Sequence, residues 1–341
     1  MSVKIGMVGL GRFALLHARV WKQIQDAEVV ALCDRNPDTF PAFLELFPAA
    51  RCYTDWNEMI ADGGLDAVDV LTPETLHADP VLAALSEGLD VFVEKPLASD
   101  PWEAESLVQA AERHGRLLMA GHILRFDARY AAAKARIAQG FAGPIRSIYA
   151  KRNNGKRFFS AYSRISPVFI LGIHDIDLMR WLLEDEVREV YAVRSVSEGR
   201  MENMIWAMLA FSRGTVGILE NNWLLPDGAD SYMDVRMEMT GDDGSLVIRD
   251  PEQGMTVIGG AFAESPSFLN GYEAHGAVNG PLAQELGHFI DCLKSGRASD
   301  ILRPQDALQA VRIAWAVRQS ALRGERIRMT DLDGMKEGGE K

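Results

Sequence analysis

The stretch VKIGMVGLGRFA, residues 3–14, decides the fold. Residues 3–8 read as a buried strand, and an amphipathic helical pattern runs from about Phe13 to Ile24. Between them Gly9, Leu10, Gly11, Arg12, Phe13 and Ala14 form a G-x-G-x-x-A turn. Gly9 permits the tight turn, Gly11 lets the backbone approach a pyrophosphate, and the small Ala14 lets helix and strand pack closely. The phosphate charge would meet the amino end of the helix, so the turn predicts a dinucleotide. Asp34 ends the next strand, Glu28 to Asp34, 20 residues beyond Ala14, where a carboxylate accepts hydrogen bonds from a ribose 2′-hydroxyl. A carboxylate repels the 2′-phosphate of NADP, so NAD is expected. Arg35 keeps NADP open, because its guanidinium could stack on adenine or pair with that phosphate.

Outward from this turn, strand patterns alternate with helical ones: RCY at 51–53, AVDVLTP at 67–73, DVFVEKP at 90–96 and LLMAGH at 117–122, with helices between them. That alternation is the signature of a parallel, doubly wound sheet of Rossmann type, assigned to residues 1–123. From residue 124 to about 330 the segments become β-rich: IRSIYAKRN, EVYAVRSV, NMIWAMLAFS, TVGILENNWLL, DVRMEMTG and GSLVIRD. They predict a large, mainly antiparallel sheet with helices on one face, an α+β domain for substrate binding and oligomerisation. The charged, Gly-rich tail 331–341 is expected to be disordered.

The 341 residues, 48% of them hydrophobic, suffice for two cores. Lys and Arg number 36 against 48 Asp and Glu, a net charge of −12 that opposes binding to nucleic acid or an anionic membrane. Cys33, Cys52 and Cys292 lack the spacing of a disulfide framework or a metal site, so a reducing compartment and no metal are expected. With no signal-type leader and no run of about 18 apolar residues, the chain reads as cytoplasmic.

The ordered set VLTPETLHADPVLAALSEGLDVFVEKPLA, GHILRF and GIHDIDLMRWL resembles the Gfo/Idh/MocA oxidoreductases, the glucose-fructose oxidoreductase and inositol dehydrogenase group, over nearly the whole chain. The resemblance implies a two-domain enzyme that uses NAD(P) to oxidise a ring hydroxyl of a sugar or cyclitol, or to reduce the ketone. It implies that Lys95 lies beside the nicotinamide and the substrate hydroxyl, with the bond to Pro96 often cis. Thr72, Pro73, Glu74 and His77 would line the dinucleotide, Glu94 would contact the nicotinamide riboside, and His122 and Arg125 would lie near the domain junction. It also implies a homodimer or homotetramer built on the second sheet. From the residues themselves, Lys95 ends a buried parallel strand, where ligands of such sheets collect and where the charged form of a lysine is disfavoured. A lysine that only snorkels and pairs with Glu94 is the alternative.

In SPVFILGIHDIDLMRWLL, residues 166–183, Ser166 and Pro167 read as an N-cap and first-turn pair for a helix to about Leu183. Helical spacing puts Ile170, His174, Asp177, Leu178 and Trp181 on one side. Gly172 costs roughly 1 kcal/mol relative to Ala in a helix interior, which is easier to understand if something packs against the backbone. His174 is then a proton-transfer residue oriented by Asp177, or a structural histidine on a helix flank; the resemblance favours the first. Polyol dehydrogenases of the family commonly carry an aspartate where Ile170 stands, so the usual relay is altered here.

Candidate substrate contacts fall in AKRNNGKRFFSAYSRISP: Arg152, Asn153, Arg157, Tyr162 and Arg164, with Asn154 and Lys156 beside them, together with Arg125 and His174. Asn and Arg suit vicinal hydroxyls or an anionic substituent, and a solvated basic loop is the alternative. Asn221, Asn222, Trp223 and His275 are weaker candidates. The expected function is hydride transfer between NAD(P) and a ring carbon of a sugar, sugar derivative or cyclitol, with Lys95 and His174 handling the hydroxyl proton. Redox-assisted glycoside cleavage with retained NAD and a non-catalytic dinucleotide sensor are the alternatives.

Overall fold

The computed structural model describes residues 2–197, 202–251, 257–258, 263–265 and 267–335. The chain divides into two compact units, Met1–Phe126 with Asn270–Val311, and Asp127–Leu269 with Arg312–Lys341.

The first unit is built on six parallel strands: β1 (Val3–Val8), β2 (Ala27–Cys33), β3 (Arg51–Tyr53), β4 (Ala67–Val70), β5 (Asp90–Val93) and β6 (Leu118–Ala120). Their order, β3-β2-β1-β4-β5-β6, reverses between β1 and β4, the point at which open parallel sheets bind ligands beyond their carboxyl ends. The strands are short and apolar because helices cover both faces of such a sheet, and Ile5, Met7, Leu32, Val68, Val91, Phe92 and Val93 are fully buried. The intervening helices are α1 (Arg12–Gln23), α2 (Phe40–Leu44), α3 (Trp56–Ala61), α4 (Ala78–Ser86) and α5 (Pro101–His114). Local chemistry sets the ends of α5. Asp100 accepts from the backbone N–H groups of Trp102 (2.9 Å) and Glu103 (3.0 Å), Pro101 starts the helix, and Gly115 closes it at φ 60°.

A single cut near residue 123 assigned everything beyond it to the second domain, but Asn270–Val311 clusters with the first unit. The apolar face of its helix Pro281–Ser295 explains this. Phe289 meets the rings of Trp21 at 6.4 Å and Phe92 at 5.6 Å edge-on, packing that periodicity alone cannot assign to a partner.

The second unit carries a seven-stranded sheet. Its strands are β7 (Ile145–Gly155), β8 (Val187–Val196), β9 (Glu202–Phe211), β10 (Val216–Leu225), β11 (Met233–Gly241) and β12 (Ser245–Asp250), in the order β12-β11-β7-β10-β9-β8, with the short strand Ile327–Arg328 at the β8 edge. All neighbours are antiparallel except β7 and β10, which run parallel. Side chains alternate as the period of a strand requires. Ile205, Ala207 and Leu209 of β9 are buried, while Trp206 and Met208 between them are exposed. Helices α6 (Ala128–Ala138), α7 (Phe159–Tyr162) and α8 (Ile173–Leu183) belong to the same unit. Of the tail, residues up to Met335 form two short 3-10 turns, and 336–341 lie outside the described residues. Among the described residues no helix is long and apolar enough to cross a membrane.

Candidate active site

The first unit gathers the expected cofactor residues on one edge. Gly9, Gly11, Arg12 and Phe13 follow β1; Asp34 and Arg35 follow β2; Thr72, Pro73 and Glu74 follow β4; Glu94 and Lys95 follow β5; His122 follows β6. Gly9 has φ 88°, and a Cβ there would stand 2.7 Å from the Thr72 nitrogen, so only glycine lets the two turns meet. At Gly11 a Cβ would meet nothing within 4 Å. Gly11 caps α1 without a side-chain hydrogen bond, and the first turn holds no acidic residue. A helix start with no side-chain cap, no acidic residue in its first turn and room beside Gly11 fits a pyrophosphate.

Asp34 is fastened to this turn. Its Oδ2 accepts from Leu10 N–H at 2.7 Å and its Oδ1 from Asn36 N–H at 2.8 Å. Each oxygen keeps a further lone pair for a ribose hydroxyl. Arg35 beside it is exposed.

His77 is a strut. Its Nδ1 lies 2.9 Å from the Pro96 carbonyl and its Nε2 2.9 Å from the Thr72 carbonyl, and the ring is buried. Burial pushes its pKa down while the two carbonyls it faces pull it up, and the ring lies between the turn after β4 and the one after β5, donating to the carbonyl that faces its N–H. The Lys95–Pro96 bond is cis. Every residue from Val91 to Ala98 is buried except Glu94 and Lys95, which reach partial exposure together. Phe13 turns its ring edge to His17 at 5.1 Å.

Arg125 differs from the expected substrate contact. Its Nη1 donates to the Ile301 carbonyl at 2.6 Å and to Asp306 at 3.1 Å, so this buried guanidinium clasps the start of the helix Pro304–Arg323. The arginine pulls the Asp306 carboxyl below its ordinary range against the opposing effect of burial.

In the second unit the helix around His174 departs from a regular α-helix. Residues Val168–Gly172 form a π turn, and α8 begins only at Ile173. Each residue of such a wide turn advances by less than the 100° of an α-helix, so spacing of i, i+4 does not carry Ile170 onto the His174 face by itself. Gly172 is required by contact: a Cβ there would stand 2.5 Å from Asn221 Oδ1. Ser166 does not cap the helix, because its hydroxyl donates to Glu202. Every residue from Ser166 to Arg180 is buried except His174. Asp177, one turn on, is buried at 1% exposure.

Ile170 packs with Leu171 and Trp223, and Phe158, Phe159, Tyr162 and Ile165 close over them. Tyr162 stacks on Trp223 with ring centroids 5.3 Å apart and planes 8° apart. Thus an apolar, largely aromatic cluster packs around Ile170, the position where family polyol dehydrogenases commonly carry an aspartate. Arg164 lies over the Tyr162 ring at 5.6 Å and Arg157 over Phe158 at 5.0 Å, both exposed.

Arg152, expected to meet substrate, is instead buried in a two-pronged pair with Asp175, Nη2 to Oδ1 at 2.8 Å and Nε to Oδ2 at 3.1 Å. Burial pushes the Asp175 carboxyl upward while Arg152 pulls it down. Asn153 is also occupied: its Nδ2 donates to Glu220 at 2.7 Å and its Oδ1 accepts from Asn222 N–H at 3.1 Å. Asn221 and Trp223 are buried, and His275 sits at a turn with φ 54° in the first unit.

Sequence reasoning passed over His17, Trp21 and Asp69. Asp69 is wholly buried in β4, where it accepts from Trp21 Nε1 at 2.7 Å and lies 3.0 Å from His17 Nδ1. An aspartate inside an otherwise apolar parallel strand must have partners, and that was the available signal.

A six-stranded parallel sheet with an uncapped helix at its switch point, a ribose-ready carboxylate and a lysine at the same edge defines an NAD-binding oxidoreductase. The domain profile of the oxidoreductase family with the NAD-binding Rossmann fold matches residues 3–122, and that of the Gfo/Idh/MocA C-terminal domain matches residues 130–247. The chain belongs to the Gfo/Idh/MocA oxidoreductase family. It is 31% identical to inositol 2-dehydrogenase of Agrobacterium fabrum over 88% of each chain, and 25% identical to myo-inositol 2-dehydrogenase of Thermotoga maritima over 97% of this chain and all of the relative. Its fold is shared with scyllo-inositol dehydrogenase of Lactobacillus casei, solved with NAD(H) and scyllo-inositol, at TM-score 0.84 and 23% identity over 97% of this chain and 100% of that one.

Proposed function

We propose that the protein is a dehydrogenase that moves a hydride between NAD and a ring carbon bearing a hydroxyl, on a cyclitol such as an inositol or on a related sugar. The observation that carries this reading is Lys95, partly exposed within a buried run at the carboxyl end of β5, on the edge where Gly11 and Asp34 fit NAD. The inositol dehydrogenases among the relatives point to the substrate class.

The turn at Gly9–Gly11 and the amino end of α1 hold the pyrophosphate, and Asp34 orients the adenosine ribose. NAD, when bound, supplies the hydride acceptor. Lys95 receives or returns the hydroxyl proton, with Glu94 beside it at the riboside. His174 is the second proton-handling group, for it alone emerges from the buried run that holds it. In the second unit Tyr162, Arg157 and Arg164 are candidate substrate contacts that keep exposed or half-exposed side chains.

The test is a nicotinamide-absorbance screen of inositols, sugars, sugar acids and anhydrosugars with NAD and with NADP. Turnover of a ring polyol with NAD, and weaker turnover with NADP because of Asp34, is the expected result. NAD binding with no turnover across the panel would defeat the reading.

The subunits assemble through the outer face of the second sheet. Tyr191, Val193, Trp206 and Met208 are 46%, 49%, 38% and 52% exposed there. Trp206 lies opposite Val193, and Met208 lies between Tyr191 and Ile218, so they form one apolar surface across three strands. The pair Trp206→Glu and Met208→Glu is expected to convert a dimer or tetramer to monomers in light scattering, with the second unit still folded. An unchanged mass would place the interface elsewhere.

A further inference from the structure

We propose that His17 is a positioning residue for Glu94: a buried imidazolium, anchored on Asp69, that fixes the Glu94 carboxylate beside Lys95. This goes beyond the reading of Lys95 and rests on it only in taking that edge as the nicotinamide end of the site.

His17 lies on α1, the helix whose amino end follows the glycine turn, and is 0% exposed. Its two ring nitrogens face two different carboxylates. Nδ1 is 3.0 Å from Asp69 Oδ2 on β4, and Nε2 is 3.5 Å from Glu94 Oε1 after β5. A neutral imidazole carries one N–H and would leave its bare nitrogen against a carboxylate; the charged ring carries two, one bonded to Asp69 and one directed at Glu94 across an ionic contact rather than a hydrogen bond. The remaining neighbours add no competing charge: Phe13 and Phe92 stand edge-on to the ring at 5.1 and 5.8 Å, and Trp21 Nε1 donates to the same Asp69 oxygen. Burial opposes the charge, but the two carboxylates outweigh it and raise the His17 pKa to about 10.

Glu94 is held from two further sides. Its Oε2 accepts the Lys95 N–H at 3.2 Å, and a Cβ on Gly121 would stand 2.7 Å from its Oε1, so the carboxylate lies on the bare backbone after β6. The 3.5 Å contact from His17 is the long member of the set, an ionic restraint that draws Glu94 toward α1. One helix thereby serves both ends of the dinucleotide, its amino end at the pyrophosphate and its second turn, through His17, at Glu94.

The folded ring keeps its proton to about pH 10, whereas the unfolded one releases it near 6.5. Folding therefore takes up a proton between these values. The stabilisation is complete below 6.5 and is lost as pH rises through about 10, lowering the folding constant up to tenfold per pH unit inside that window.

Nitrogen-15 spectra of the cofactor-free protein with labelled histidine read the ring directly. Both His17 nitrogens protonated at pH 8 is the expected result, and a neutral ring there overturns the proposal without any variant. NADH binding by fluorescence then tests coupling in a double-mutant cycle. His17→Gln is expected to weaken NADH roughly tenfold in the wild-type background and hardly at all when Glu94 is already Gln. Independent effects of the two substitutions would make His17 merely structural and overturn the positioning role. Neither readout requires a substrate, so failure to oxidise any polyol would count against the proposed function and leave this result standing.

Discussion

Lys95→Met is expected to lower kcat about 10³-fold while leaving NADH affinity within about threefold of the native value, in the range that loss of a proton-transfer group produces. Methionine keeps an unbranched stem of similar length, and Val93 and Leu97 on either side in the chain are fully buried, so the carboxyl end of β5 and the Pro96 turn should persist. What disappears is the ammonium at the one place in that run where Glu94 and Lys95 reach partial exposure. Steady-state kinetics with the best polyol from the screen, beside fluorescence titration of NADH, separates the two quantities. Turnover near the native rate with normal cofactor binding would remove Lys95 from the chemistry. Equal losses in NADH affinity and turnover would instead make it a cofactor anchor.

The turn at Gly9 was legible because its determinants are local. A positive φ, a close approach to the turn after β4 and a small residue at Ala14 are written into six consecutive residues, and Asp34 follows at the distance one βαβ unit imposes. The ends of α5 were legible for the same reason, Asp100 and Pro101 at its start and Gly115 at its end. What escaped was set by distant partners. The π turn at Val168–Gly172 forms where Gly172 lies against Asn221 of β10, and no pattern within the helix announces that neighbour. The helix Pro281–Ser295 showed its amphipathic period but not that Phe289 would seek Trp21 and Phe92 in the first unit. His17 and Asp69, 52 residues apart, read separately as an ordinary helix residue and an odd strand residue; only their contact makes a site.

The basic stretch around Arg152 shows how far residue type can mislead. Lys151, Arg152 and Asn153 occupy successive positions on β7, so strand alternation sends them to opposite faces. Lys151 and Asn153 go to the side of Asp234 and Glu220, and Arg152 goes inward to Asp175. Arg157 and Arg164, beyond the strand, keep exposed guanidinium groups over the rings of Phe158 and Tyr162.

Asp175→Asn is expected to destabilise the second unit by about 3–5 kcal/mol, the usual consequence of stranding one member of a buried ion pair. The asparagine has nearly the same shape and could still accept one hydrogen bond, but Arg152 would keep its charge at 5% exposure with no carboxylate opposite. Tyr130 and Asn221, the other polar side chains in electrostatic range, carry no compensating negative charge at neutral pH. Because Asp175 follows His174 directly and Arg152 fastens it to β7, the same change should loosen the first turn of α8. In kinetics it would appear as a fall in kcat at temperatures well below the unfolding midpoint, with NADH affinity unchanged because the dinucleotide residues all lie in the first unit. Removing both charges, as Arg152→Met with Asp175→Leu, should recover most of the stability but not the helix placement, since the two-pronged geometry that orients α8 is gone. Denaturant melts of the single and double variants measure the first effect and the ratio of recovered stability to recovered kcat the second. Equal recovery of both would show that the pair stabilises this unit without positioning His174.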